Sequence, residues 1–225
     1  MLEAQKIYRE DFFINPIYVV HKPEWLKKLN KYSDPFILES KKNGKKEIDE
    51  RNNKFGNKKD FAHVFHSTTL TNQKGFEELQ NFVGFTAGSI LDEQGFDLSN
   101  YEMVMSEFWV QEFPKSGGGH HTLHTHWNGH ISGFYFLKCS ERTSFPVFQD
   151  PRYGRQMNLL PEKDKEKLTL ASSEVNFKIK PGTMLFFNSH LPHLFTVDCG
   201  YEPFRFIHWN VSAVSKEILE LSNKK

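Results

Sequence analysis

From residue 101 onward, apolar and aromatic residues come in short runs separated by Gly, Pro, Ser and Asn, which is how a strand-rich region is punctuated. The runs are YEMVMSEFWVQEF (101–113), ISGFYFLK (131–138), PVFQ (146–149), EVNFKIK (174–180), TMLFF (183–187) and FRFIHWNVSAV (204–214). EVNFKIK alternates, with Val175, Phe177 and Ile179 on one face and Asn176 and Lys178 on the other. So many short strands in succession predict a sandwich or double-sheet jelly roll. The first hundred residues read differently. FFINPIYVV predicts a strand, and Pro23 opens a short helix over PEWLKKLNKY, with Trp25, Leu26 and Leu29 on one side. Residues 71–93 predict a second helix, with Phe76, Leu79, Phe82, Val83 and Phe85 at three- and four-residue spacing. The tail KEILELSNKK predicts a short helix. The expected architecture is mainly β with flanking helices. Residues 1–100 form a lead-in packed on a core of residues 101–225, the whole making one compact domain.

Composition sharpens this picture in a few places. Aromatic residues are 15% of the 225, so the core is expected to be built from Phe, Trp and Tyr. A formal net charge of +1 gives no global reason to expect nucleic acid as a partner. The stretch 41–60 carries eight Lys/Arg against four Asp/Glu but almost no aromatics, and reads as solvated loop or helix rather than a nucleic-acid patch. Cys139 and Cys199 are too few for a disulfide framework or a thiolate zinc site, which points to a reducing compartment. The opening MLEAQKIYREDFF lacks the apolar run of a signal peptide, and no stretch reaches the roughly 18 apolar residues of a membrane span. A soluble, cytoplasmic protein is expected.

Candidate chemistry lies in the histidines. Seven of the 11 fall in two places: His120, His121, His124, His126 and His130 within GGGHHTLHTHWNGHISG, and His190 and His193 after TMLFF. Imidazole is the commonest protein metal ligand. His124 and His126 are two apart, so on an extended chain both point to one face while Thr125 points away. A third ligand, His193 or His190, can arrive from a strand remote in sequence. Three protein ligands on one side of a metal leave positions open, as oxygen-activating iron sites require. The Gly117–Gly119 run lets the backbone turn sharply onto the site. His120 and His121 are expected on a solvated loop, and His130 is placed to cap the turn into ISGFYF. Arg205 shares a strand face with Ile207, Trp209 and Val211, opposite Phe204, Phe206, His208 and Asn210. An arginine among apolar neighbours needs an anionic partner. Two partners stay open: a small acid beside the metal, or an internal Asp or Glu. In FQDPR, Asp150 and Arg152 read either as a turn with a salt bridge or as residues at a substrate mouth.

The order HxH, SGFYFLK, FQDPR, KPGTMLFFNSHLPHLF and RFIHWN resembles the 2-oxoglutarate- and Fe(II)-dependent oxygenases of bacteria and phages, distant relatives of the prolyl hydroxylases. The resemblance runs from about FFINPIY to the last strand, loosely in the N-terminal part. It implies a double-stranded β-helix (a cupin-like jelly roll) that uses Fe(II), 2-oxoglutarate and dioxygen to hydroxylate or otherwise oxidise a second substrate. It places His124, His126 and His193 as metal ligands, with His193 preferred to His190 because it follows Phe187-Asn188-Ser189 and Pro192. It places Arg205 on the far carboxylate of 2-oxoglutarate, with Trp209 on the same face. Phe113 and Phe136 stand where such hydroxylases often offer tyrosines. Gln111 is then a substitute polar contact, and Tyr135 a weaker one that faces the other way. His126 stands where the wider superfamily usually has a carboxylate, which leaves the bound iron with its full double charge. Such a three-histidine site also suits dioxygenases or isomerases that use no 2-oxoglutarate, and the same jelly roll could serve as a non-catalytic, metal-stabilised binding module. No motif outside the barrel names the prime substrate.

Overall fold

A computed structural model describes residues 11, 13–56, 59–157 and 160–222. Residues 1–10, where most of the leader expectation fell, lie outside the described residues. The strands are β1 (Ile17–His21), β2 (Phe65–His66), β3 (Tyr101–Phe113), β4 (His121–His124), β5 (Ile131–Lys138), β6 (Pro146–Gln149), β7 (Glu174–Asn176), β8 (Thr183–Asn188), β9 (His193–Phe195) and β10 (Phe204–Ser215). The helices are α1 (Leu26–Phe55), α2 (Glu77–Glu93), α3 (Tyr153–Gln156) and α4 (Lys216–Ser222). Six strands form one antiparallel sheet in the order β1-β8-β5-β10-β3-β2, and four form a second in the order β4-β9-β6-β7. This is the double-stranded β-helix, with β1 and β2 added to the edges of the larger sheet.

The two faces of the larger sheet carry different side chains because strand residues alternate. Tyr135, Met184, Phe186, Ile207, Trp209 and Val211 form one buried cluster with Leu29 and Ile37 of α1 and Leu79, Val83 and Ile90 of α2. Phe134, Phe136, Phe187, Phe204 and Phe206 form another with Phe148 and Phe195 of the smaller sheet. The jelly-roll interior is thus largely phenylalanine, and the helices cover the outside of the six-stranded sheet.

Two helices differ from expectation. The helix expected over 23–32 is preceded by a 3-10 turn (Pro23–Trp25) and runs for 30 residues as α1, so much of the charged 41–60 stretch is its C-terminal half. Gly56 ends it at φ 68°, the left-handed conformation glycine adopts freely. In α2, Leu79 and Val83 are buried as expected, but Phe85 is 77% exposed and Ala87, Ile90 and Leu91 complete the buried side. The EVNFKIK strand is shorter than its alternation suggests, since β7 stops at Asn176. Among the described residues, no helix is long and apolar enough to cross a membrane.

Candidate metal centre

β4 pairs with β9 so that His124 stands directly across from His193. This brings two residues 69 apart in sequence onto one site, and His126 follows at the end of the same extended segment. Nδ1 of His193 hydrogen-bonds the Leu191 carbonyl at 3.0 Å, and Nδ1 of His124 bonds the Thr122 carbonyl at 2.7 Å. With Nδ1 donating to a carbonyl, His193 keeps an Nε2 lone pair that faces the His126 ring, as a metal ligand's does. His126 Nε2 lies 3.3 Å from His193 Nε2, and one ligand atom from each of the three lies within 4.8 Å of the others. The approach depends on Gly117 and Gly118, at φ 83° and 80°. A Cβ on Gly117 would meet the Gly200 backbone at 2.9 Å, and one on Gly118 the Ala62 backbone at 2.9 Å.

Burial keeps two of these imidazoles, His193 and His126, uncharged. His193 is held well below the ordinary histidine range by desolvation and then by His124, and His126 is lowered to about 3 by desolvation and then by His208. A neutral ring is the form that ligates a metal. Three converging imidazoles are a donor set that fits a divalent cation.

The site holds two residues beyond those expected of it. His208 of β10, fully buried, stacks on His126 at 4.7 Å between ring centroids. Glu107 of β3 stands 3.5 Å from His208 Nε2 through Oε2. Its carboxyl is lowered to about 2, first by His208 beside it and then, against the effect of its own burial, by the Asn128 amide. His208 escaped sequence reasoning because period two groups Phe204, Phe206, His208 and Asn210 together without saying that theirs is the inner face, and Glu107 because it reaches the site only through the pairing of β3 with β10.

That face is the correction for Arg205 and Trp209. Both lie on the helix-covered side, away from the histidines. Nε and Nη2 of Arg205 each reach Glu112 Oε2 at 2.7 Å, and Nη1 reaches Asp34 Oδ1 at 2.6 Å and Ser33 Oγ at 3.1 Å. The internal-partner alternative describes this arrangement: the guanidinium is consumed by a sheet carboxylate and by α1. Trp209 packs in the outer cluster against Phe186.

The remaining candidates divide. Gln111 and Phe136 do face inward. Gln111 Nε2 lies 2.6 Å from His121 Nε2, so His121 sits in β4 beside the site rather than on a solvated loop. Phe136 and Phe113 are buried among the inner phenylalanines. Tyr135 faces the helices and donates to the Lys22 carbonyl at 2.7 Å. His190 stands apart, bonded to Asn15 at 3.1 Å. His130 Nδ1 accepts from the Ala213 backbone at 3.1 Å, fastening the turn to β10. Asp150 and Arg152 form a bidentate pair at 2.9 and 2.7 Å, on the rim of a groove of about 510 Å³ that Phe148 and Leu191 also line. Phe148 stands between that groove and His193, at 5.9 Å from its ring.

Beside the three histidines lies a cavity of about 30 Å³ whose walls include Trp109, Phe134, Phe195 and Phe206. That is room for about two waters. Among the described residues no Lys or Arg lines it; its polar walls are the Trp109 indole and the imidazoles of His121, His124, His126 and His208. The fit is for a metal; a cation facing the tail of 2-oxoglutarate is absent from the residues lining this cavity.

Residues 107–200 match the model of a family described as "Putative 2OG-Fe(II) oxygenase". The match covers Glu107, His124, His126 and His193 and stops before Arg205 and His208. Among solved structures the chain is similar to AviO1 from Streptomyces viridochromogenes Tue57, at 13% identity over 88% of this chain and 90% of that one, TM-score 0.52. It is also similar to SnoN, a non-heme alpha ketoglutarate dependent epimerase from nogalamycin biosynthesis, at 10% identity over 88% and 76% of the two chains, TM-score 0.52. SnoN in complex with Fe3+, alpha ketoglutarate and nogalamycin RO matches at 10% identity over 88% and 79%, TM-score 0.50. At these identities the likeness is one of fold, the double-stranded β-helix of 2-oxoglutarate oxygenases. No curated protein matches the sequence.

Proposed function

We propose that the protein is a non-haem Fe(II), 2-oxoglutarate-dependent oxygenase whose metal is held by His124, His126 and His193. The observation that carries this is the convergence of three imidazoles, from β4, the segment just after it and β9, within the segment that matches the oxygenase family. Bound there, iron supplies dioxygen activation for oxidation of a C–H bond, chemistry that protein side chains alone lack. The chain contributes orientation and dryness. The Leu191 and Thr122 carbonyls fix the His193 and His124 rings, and Phe134, Phe195 and Phe206 exclude bulk water from the pocket. Three neutral ligands leave the full charge of the cation to be met by an anionic co-substrate.

The pairing of Arg205 with Glu112 favours a second reading, a three-histidine dioxygenase or isomerase whose substrate binds the metal without 2-oxoglutarate. Adding 2-oxoglutarate to the anaerobic Fe(II) protein separates the two. The oxygenase reading expects the weak visible charge-transfer band of a chelate to grow and saturate. A protein that holds iron in full and shows no band with 2-oxoglutarate belongs to the second reading.

A further inference from the structure

We propose, resting on the reading of His126 as a metal ligand, that Asn210 is a positioning residue of the centre. It holds the proton of the His126 ring on Nε2, and the metal-free centre is closed by a hydrogen bond from that nitrogen to His193. Asn210 lies in β10 and is fully buried. The register of β10 against β3 shifts just after it, an irregularity of the kind that re-aims a side chain. Its amide reaches four groups. Oδ1 accepts from Ser132 Oγ at 2.6 Å, and Nδ2 lies 2.9 Å from Glu107 Oε2, 3.0 Å from Asn128 Oδ1 and 3.1 Å from His126 Nδ1.

These neighbours leave the amide one orientation. The Glu107 carboxylate can only accept. Asn128 Nδ2 donates to Glu107 Oε1 at 2.7 Å, which turns Asn128 Oδ1, a second acceptor, toward Asn210. The atom of Asn210 that faces both is therefore the amide nitrogen, and it meets His126 Nδ1 as a donor. A ring proton on Nδ1 would point straight at those N–H groups, so Nδ1 carries the lone pair. The far edge of the ring gives the same answer independently. His193 donates its proton to the Leu191 carbonyl, so its Nε2 is a lone pair, and His126 Nε2 faces it at 3.3 Å. Two lone pairs so close repel, whereas an N–H on His126 turns the contact into a hydrogen bond. A neutral imidazole has one proton, and both neighbours place it on Nε2.

To ligate through Nε2, His126 must move that proton to Nδ1. The ring stays neutral and only the place of its proton differs. A ligating histidine ordinarily donates its other N–H to an acceptor behind it, and Asn210 presents a donor there instead. Glu107, Asn128 and Ser132 fix the amide, so loading the centre is coupled to a rearrangement of this buried cluster, which ties β3, β5 and β10 to the loop that follows His126.

The test is the position of the ring proton, read from long-range nitrogen–proton correlation spectra of protein isotopically labelled in its histidines, with and without zinc. The His126 signals are assigned by their loss in His126→Gln. The metal-free protein is expected to carry the proton on Nε2 of His126 and on Nδ1 of His193, and zinc should move the His126 proton to Nδ1. The paired exchange Asn210→Asp with Glu107→Gln keeps the total charge and replaces the donor facing His126 by an acceptor. It should place the His126 proton on Nδ1 before zinc is added, and tighten zinc binding about tenfold, the low end of what a ligand's supporting groups contribute. A residue that only fills space would leave the proton in place and zinc binding unchanged or weaker. Far-UV circular dichroism restricts the comparison to folded variants. If the paired exchange does not fold, Asn210→Ala replaces it and should let the Nδ1-protonated form appear. An Nδ1 proton on His126 in the metal-free parent overturns the proposal, as does a folded variant of either kind that keeps the proton wholly on Nε2. The oxygenase reading fails separately, when zinc leaves every histidine signal unchanged although the His126 proton stands on Nε2.

Discussion

A single ring nitrogen decides what His193 and His190 do. His193 is buried with Nδ1 tied to the Leu191 carbonyl and Nε2 turned to His126, whereas exposed His190 bonds Asn15 at the surface. In calorimetric titration with Fe(II) under anaerobic conditions, His193→Ala should lose the binding event of the three-histidine centre. His190→Ala should keep it. The loss should exceed the roughly 10–100-fold typical of removing a group that merely supports a ligand; an unchanged isotherm for His193→Ala would remove it from the centre. The two cysteines separate as cleanly. Cys139 is buried and its thiol is pushed up to about 12 by desolvation, while Cys199 is exposed. A thiol reagent should modify one sulfur quickly in the native protein and the second only on unfolding, because the thiolate is the reactive form. The HxH pair was legible because spacing alone puts His124 and His126 on one side of an extended chain. His121 was not, since its partner Gln111 comes from another strand and another sheet.

At the scale of elements, Arg205 is the fastening between β10, β3 and α1. Its guanidinium is 4% exposed and the Glu112 carboxylate 2%, with Lys41 of α1 also reaching Glu112 at 2.6 Å. The contact with Asp34 is half open to water and adds little. Removing Arg205 leaves buried Glu112 with Lys41 as its near cation, so the loss should approach, without reaching, the cost of a fully broken buried pair, about 3–5 kcal/mol. Arg205→Met should therefore lower the denaturant midpoint strongly, and adding Glu112→Gln should restore much of it. Metal affinity should be unchanged in the folded double variant; a weakened metal site with intact stability would return Arg205 to the pocket. Strand identity was legible in this part of the chain, and β3, β5 and β6 coincide with the runs that alternate or stay apolar between turn residues. Which face of β10 looks inward was not, because both faces are apolar enough to be buried, one under helices and one inside the barrel. The length of α1 was hidden for the opposite reason. Its second half buries little beyond Ile48, so the apolar periodicity fades while Lys and Glu, good helix formers, carry the turns on to Gly56.

For the whole molecule, the question is whether the jelly roll stands without its lead-in. β1 pairs with β8 over five residues and β2 with β3, so the first hundred residues complete both edges of the larger sheet. Residues Leu29, Ile37, Phe76, Leu79 and Val83 cover Phe186, Ile207, Trp209 and Val211, which all belong to the barrel. A chain cut to 101–225 would expose that apolar face, and each large side chain returned to water forfeits about 1.5–3 kcal/mol. Several such losses exceed the whole stability of an ordinary domain, about 5–15 kcal/mol. The exposed β3 and β8 edges would further invite pairing between chains. We therefore predict one cooperative thermal transition for residues 1–225, coincident by circular dichroism and by tryptophan fluorescence, as one domain requires. The 101–225 fragment should be insoluble or lack tertiary structure, and should bind no metal even though it carries every histidine of the centre. Two separate transitions in the full chain, or a soluble fragment that folds and takes up metal, would show instead that the barrel is a domain in its own right and the lead-in a separate layer docked on it.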